Sequence, residues 1–211
     1  MSGIKIVDYG VGNIFSVRNS LLKSSGSEGE LANCGEDLLS ADRVILPGVG
    51  SFSSGIEGLH ERGLAEAIKE IAARGTPILG ICLGMQLFAT SSEEYGYHRG
   101  LDLIKGQVKL IPSMTKDGLK LKRPFIGWTK LQVQRSHESA HLLGDSHPPV
   151  VYAVHSFHFV PEQQEHVLAT YAYDDATLVA AVARENIIGL QFHPEKSGEQ
   201  GLHIMNRFMQ L

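Results

Sequence analysis

Cys82 lies in Gly80-Ile81-Cys82-Leu83-Gly84, a Gly-x-Cys-x-Gly pentapeptide with the spacing of a nucleophile elbow. In such an elbow a buried strand ends on the nucleophile and a helix begins directly behind it. The free N–H groups and positive dipole end of that helix favour thiolate over thiol. A nucleophile held on so sharp a turn sits in strained backbone, and the flanking glycines lack the Cβ that would keep neighbouring chain away. Taken alone, the same residues also fit an inert core cysteine. His193-Pro194-Glu195 shifts the balance. It closes another buried strand, Pro194 fixes the turn, and His193 and Glu195 stand two residues apart, so both side chains can project the same way. A carboxylate in reach of the imidazole would hold its tautomer, and the imidazole would take the thiol proton. Pro47-Gly48-Val49-Gly50 adds a glycine turn whose backbone N–H groups can point into the crevice, as an oxyanion hole requires. A Cys82–His193–Glu195 triad is the favoured reading.

The elements that must position these groups follow an α/β grammar. Ile4 to Val7, Arg43 to Leu46, Pro77 to Ile81 and Ile187 to Phe192 are near-continuous apolar runs, the mark of parallel strands buried on both faces. Tyr9-Gly10-Val11-Gly12-Asn13 follows the first run. Val17, Leu21 and Leu22 then fall at helical spacing, with Asn13 as N-cap. One helix is expected from about Gly55 to Ala73, burying Ile56, Leu59, Leu64, Ile68 and Ile71, and a second from the elbow to near Ser91. From Val108 onward the chain changes to short strands, several alternating in polarity: Val108 to Ile111, Lys130 to Gln134, Val150 to Val160, Val167 to Tyr173 and Thr177 to Ala183. A C-terminal helix turns Leu202, Met205 and Phe208 inward. The expected fold is an open, mostly parallel sheet flanked by helices, with an antiparallel extension, in a single domain spanning 1–211.

Composition narrows the partners. With 211 residues, 43% hydrophobic, the chain is long enough for a full core, and a net charge of −4 suggests no nucleic acid or membrane surface. Cys34 and Cys82 are too far apart in sequence to suggest a disulfide framework, which suits a reducing cytoplasm. No signal peptide is expected at the N-terminus, and no window is long enough to span a bilayer.

A rival constellation is His137-Glu138-Ser139-Ala140-His141-Leu142-Leu143-Gly144-Asp145-Ser146-His147, which matches the metzincin zinc-peptidase pattern. Three imidazoles and a glutamate base would make a catalytic zinc site. That motif needs a long buried helix. Here the preceding residues alternate like a strand, Gly144 ends any helix within seven residues, and no methionine follows within the next fifty. A polar connection, with no metal and no cofactor, is the expectation.

Gly80 to Gln86 together with Gln191-Phe192-His193-Pro194-Glu195 resembles the class I, triad-type glutamine amidotransferases. Tyr9 to Asn13, Pro47 to Phe52, Gly127-Trp128, Val154-His155-Ser156 and Glu195-Lys196-Ser197 extend the resemblance to the family of glutaminase subunits of imidazole glycerol phosphate synthase. The resemblance implies that Cys82 attacks the side-chain amide of glutamine and that His193 acts as base and then acid, oriented by Glu195. It implies an oxyanion held by the N–H groups of Val49 and Leu83, and glutamine bound by Gly50, Gln86, Glu94, Ser156 and Phe157. It further implies a heterodimer with a (β/α)8-barrel cyclase subunit, contacted near Asn13, Trp128 and Lys196, which uses the ammonia in histidine biosynthesis. Thr129 stands where this family usually has Asn, and Phe157 where Tyr is frequent. A paralogous ammonia-supplying subunit of sugar biosynthesis and a non-catalytic binding subunit are the alternatives.

Overall fold

The structure, a computed structural model, describes residues 3–144 and 148–211. The first half runs β1 (Ile4–Val7), α1 (Ile14–Ser25), β2 (Glu30–Ala32), α2 (Gly35–Leu38), β3 (Arg43–Leu46), α3 (Phe52–Glu61), α4 (Leu64–Ala73), β4 (Ile78–Ile81) and α5 (Leu83–Gln86). The second half adds β5 (Ser91–Ser92), β6 (His98–Arg99), β7 (Gly106–Leu110), β8 (Phe125–Lys130), β9 (Gln132–Val133), β10 (Val150–His155) and β11 (Phe157–Pro161). It ends with β12 (Val167–Tyr173), β13 (Ala176–Arg184), β14 (Ile187–Leu190) and α6 (Gly198–Phe208).

One sheet holds eight of these strands in the order β2-β1-β3-β4-β14-β13-β12-β9. The five from β2 to β14 are parallel, and β13, β12 and β9 continue the sheet antiparallel. This is the open, mostly parallel sheet with an antiparallel extension that the sequence implies. Alternation along each central strand feeds two apolar layers. Ile4, Ile6, Ile45, Leu79 and Ile81 face one layer, where Val17 and Leu21 of α1 meet Ile204, Met205 and Phe208 of α6. Val7, Val44, Leu46 and Ile78 face the other, against Phe52 and Leu59 of α3 and Leu64, Ile68 and Ile71 of α4. Each such aliphatic side chain contributes about 1.5–3 kcal/mol by leaving water. Two smaller sheets, β10-β8 and β11-β7-β5-β6, stand beside the main one.

Three expectations need correction. The helix expected from about Gly55 to Ala73 is two helices, parted at Gly63, which is left-handed at φ 64°. The trace was present in the sequence, because the step of five from Leu59 to Leu64 does not keep one helical face. The helix expected to run from the elbow to Ser91 is a single turn, Leu83–Gln86. Tertiary pairing ends it: the carbonyls of Leu87, Phe88 and Ala89 accept N–H bonds from Leu101, Leu103, Ile104 and Asp102. Residues 150 to 160 form two strands, β10 and β11, which pair with β8 and β7 in different sheets and part at Ser156.

Candidate functional site

The strands β1, β3, β4 and β14 are neighbours and parallel, so the four turns at their C-terminal ends meet along one edge of the sheet. This is where open α/β sheets bind ligands. The turns carry Gly10–Asn13, Pro47–Gly50, Cys82 and His193–Glu195.

Cys82 has φ 55° and ψ −107°, a backbone conformation costly for any residue with a Cβ. Its amide donates to Leu190 O at 2.7 Å, which ties the elbow to β14, and its carbonyl accepts from Gln86 N at 3.2 Å. The flanking glycines are required by space. A Cβ on Gly84 would overlap the Leu46 carbonyl, and one on Gly80 would lie 2.6 Å from the Phe88 ring. Gly48 brings the β3 turn onto the elbow, since a Cβ there would come within 2.9 Å of Leu83 Cβ and 3.1 Å of Gly84 N. Leu83 opens the helical turn, where an N–H has no intrahelical acceptor. Val49 and Gly50 follow in the same loop, Gly50 at φ 101°.

His193 is buried, and its Nδ1 donates to Glu195 Oε1 at 2.8 Å, which leaves Nε2 for the sulfur. Cys82 lies near enough to the imidazole to act on its charge. Burial works against a charged imidazole here, but the hydrogen bonds and charges of Cys82 and Glu195 together outweigh it and hold the His193 pKa up at about 9. Glu195 Oε2 is buried with no hydrogen-bond partner among the described residues. The turn is fixed from behind: His193 N donates to Tyr152 O, while Ser197 Oγ donates to His193 O at 2.6 Å and accepts from Tyr152 N at 3.0 Å. Tyr9 donates to Pro47 O at 2.7 Å, and burial first, then the charge at Cys82, pushes its phenol pKa upward.

The residues expected to hold the substrate gather beside the elbow. Gln86 Nε2 donates to Phe157 O at 2.9 Å and to Gln191 Oε1 at 3.0 Å, so its carbonyl oxygen is the part left for a ligand. Glu94 Oε2 accepts the Phe52 N–H at 2.6 Å, at the start of α3 and two residues from Gly50. Ser156 and Phe157 line a cleft of about 510 Å3 with Glu93, Tyr95, Leu110 and Arg123. Phe157 meets Tyr95 edge-on, the centroids 6.3 Å apart.

Asn13 caps α1, its Oδ1 accepting from Ser16 N at 3.2 Å, and shares a small cavity with Gly48, Val49, His193 and Glu195. Exposed Trp128 lies edge-on to Tyr152, the residue that braces His193, and exposed Lys196 follows Glu195. The expected contact residues therefore surround the triad turn. Ile126, 61% exposed, lies two residues from Trp128 on the same face of β8, and Phe15, 76% exposed, follows Asn13 by two; neither was singled out from the sequence. Thr129 is half-buried and alternates with Trp128 along β8, so it belongs to the other face of that strand.

Among the described residues the zinc constellation does not assemble. Glu138–Leu143 is a 3-10 helix, in which residues four apart lie about 120° apart, rather than the roughly 40° of an α-helix. His137 Nδ1 caps this helix by accepting from Ser139 N at 3.0 Å, and His141 Nδ1 bonds Glu138 O at 2.9 Å. His147 lies outside the described residues.

Sequence reasoning passed over Gln191 and Ser197. Gln191 is fully buried with its Nε2 3.8 Å from Cys82 Sγ. Both stand within the quoted motifs, and a buried amide directly after an apolar strand was the available signal.

A fold of this kind with this constellation at its switch edge defines an amidotransferase-type hydrolase, and comparison with known proteins agrees. A family model, glutamine amidotransferase class-I, matches residues 7–211. A Legionella pneumophila (strain Paris) protein named imidazole glycerol phosphate synthase subunit HisH 1 is 44% identical over 214 residues, covering 100% of both chains. The HisH subunit of Geobacillus thermodenitrificans (strain NG80-2) is 44% identical over 209 residues, covering 99% of this chain and 96% of its own. A solved structure titled as a glutamine amidotransferase superposes with a TM-score of 0.74 at 17% identity, covering 99% of this chain and 100% of the other. PurLQS from Thermotoga maritima gives 0.69 at 20% identity, covering 98% and 97%, and both likenesses concern the fold. The chain belongs to the class I glutamine amidotransferases, in the HisH family of imidazole glycerol phosphate synthase subunits.

Proposed function

We propose that residues 1–211 act as one glutamine amidotransferase domain that hydrolyses glutamine and delivers ammonia to a synthase partner in histidine biosynthesis. Cys82 Sγ adds to the amide carbon, and the N–H groups of Val49 and Leu83 hold the resulting oxyanion. His193 gives its proton to the departing nitrogen, the C–N bond breaks, and ammonia leaves a glutamyl thioester on Cys82. Water then attacks the thioester with His193 as base, and glutamate leaves. Glu195 keeps the imidazole oriented throughout. Gly50, Gln86, Glu94, Ser156 and Phe157 hold the amino-acid end of glutamine.

The partner is a (β/α)8-barrel cyclase subunit that forms imidazole glycerol phosphate and aminoimidazole carboxamide ribonucleotide. It docks over Asn13, Trp128 and Lys196, in the cytoplasm. The observation that carries the reading is the strained Cys82 beside an imidazole held by Glu195. Cys82→Ala tests it in the complex. Glutamine-dependent synthesis should vanish while synthesis from added ammonium persists, because the thiol acts only in making ammonia. Loss of both activities would make Cys82 a structural residue and end the proposal.

A further inference from the structure

From the sulfur runs a line of hydrogen bonds that the triad does not use. Tyr171 hydroxyl lies 2.6 Å from His155 Nε2, and His155 Nδ1 lies 2.8 Å from Phe157 O. Gln86 Nε2 donates to the same carbonyl and to Gln191 Oε1, and Gln191 Nε2 lies 3.8 Å from Cys82 Sγ. His155, Gln86 and Gln191 are all buried.

The direction of every donor in this line is fixed. A carbonyl oxygen only accepts, so His155 Nδ1 and Gln86 Nε2 must both donate to Phe157 O. Burial, the largest influence on His155, brings its pKa down to about 4, so the ring is neutral and carries one proton. With that proton on Nδ1, Nε2 accepts from Tyr171. Gln86, committed as a donor to Phe157, offers its second N–H to Gln191. Gln191 must answer with its carbonyl oxygen, and its NH2 is then forced toward the sulfur. An isolated amide is free to flip; this one is locked by its neighbours. Its backbone is anchored as well, since Gln191 N donates to Ala180 O at 2.8 Å.

We propose that Gln191 is a second donor to the Cys82 thiolate, besides His193, and that Gln86, Phe157 O and His155 exist in part to hold its amide in that orientation. This rests on the reading of Cys82 as the nucleophile. A thiol sulfur is a poor acceptor and a thiolate a good one, so an N–H locked onto Sγ favours ionisation and pins the sulfur's direction. The other titratable groups facing Sγ are His193, with Glu195 behind it, and Tyr9 from the β1 end. The Gln191 contact is uncharged and acts on them only through the charge of Cys82.

The test follows alkylation of Cys82 by iodoacetamide across pH 5 to 10 in the full-length protein, read on the Cys82 peptide by mass spectrometry, because Cys34 is exposed and also reacts. A hydrogen bond to a charged group is worth about ten- to a hundredfold in such an equilibrium. Gln191→Leu should therefore raise the midpoint by about one to two pH units, with a matching fall in rate at pH 7. Gln191→Glu keeps the acceptor for Gln86 but sets a carboxylate at the sulfur, and should shift the midpoint at least as far. It also serves should the leucine variant not fold. A purely structural role would lower the melting temperature and leave the midpoint in place, and an unmoved midpoint in a folded variant overturns the proposal. Wild-type protein treated with 6-diazo-5-oxo-L-norleucine, an electrophilic glutamine analogue, tests the underlying reading separately. A shifted midpoint without a Cys82 adduct would sink the glutaminase assignment and leave the Gln191–Cys82 pairing standing.

Discussion

Replacing Glu195 by Gln removes the charge behind His193 while keeping an oxygen for Nδ1 to donate to. The wild-type His193 pKa stands at about 9, against 6.5 for a free imidazole. Those roughly 2.5 units correspond to about 3 kcal/mol of net preference for the imidazolium in the folded state, after burial has worked against it. Cys82 and Glu195 share that preference, so loss of the carboxylate should remove about 1–2 kcal/mol and lower the His193 pKa by at least about one unit. The sign follows from linkage. A folded value above the unfolded one stabilises the protein fully below about pH 6.5, and the stabilisation disappears as pH rises through about 9. Between those limits the wild type should lose up to about 3 kcal/mol through this group, and Glu195→Gln should lose about 1–2 kcal/mol less. Urea unfolding at pH 6.5, 7.5 and 9 measures the slope, and the imidazole Cε1 proton followed by NMR gives the pKa itself. Equal slopes with an unchanged His193 titration would refute the claim that Glu195 holds the imidazole charged.

At position 82 the strained backbone should invert a familiar order: Cys82→Gly should be more stable than Cys82→Ala by about 1 kcal/mol or more in thermal unfolding, because the positive φ penalises any Cβ. His137→Ala with His141→Ala should leave glutamine hydrolysis within a few-fold, with no stoichiometric zinc by elemental analysis, since both rings serve the 3-10 segment. His155, brought down to about 4 by burial, should contribute stability that is complete above about pH 6.5 and is lost as pH falls toward 4, up to about 3 kcal/mol. His155→Gln should flatten that acid limb in melting experiments.

The parallel core and the turn residues at its edge were legible because both leave local marks. Four apolar runs each ended in a glycine- or proline-bearing turn, and strand direction then fixed that the turns share an edge. The elbow glycines announced a close approach, and the Leu46 carbonyl over Gly84 supplies it. What could not be read was set by partners distant in sequence. The helix after Cys82 stops because Leu101 to Ile104 claim its carbonyls. Gln191 looked like one more strand residue because its meaning depends on Gln86, 105 positions away. Thr129 neighbours Trp128 in the sequence, but a strand sends successive residues to opposite faces, so the two do not share a surface.

The strained residue lies where the fold is best able to hold it. β4 is an interior strand of the sheet, between β3 and β14, and all four of its residues are buried. Cys82 N is tied to β14, the Leu46 carbonyl of β3 occupies the space a Cβ on Gly84 would need, and a Cβ on Gly189 would lie 2.6 Å from Met85 Cγ. A backbone conformation costing about 1–3 kcal/mol survives only where its surroundings over-determine it. Here the same two strands that clamp the elbow also deliver the other site groups, Pro47–Gly50 from β3 and Gln191, His193 and Glu195 from β14. The strain therefore cannot relax without moving the sulfur relative to those groups. That coupling ties the elbow and the His193–Glu195 turn to neighbouring buried strands of the main sheet.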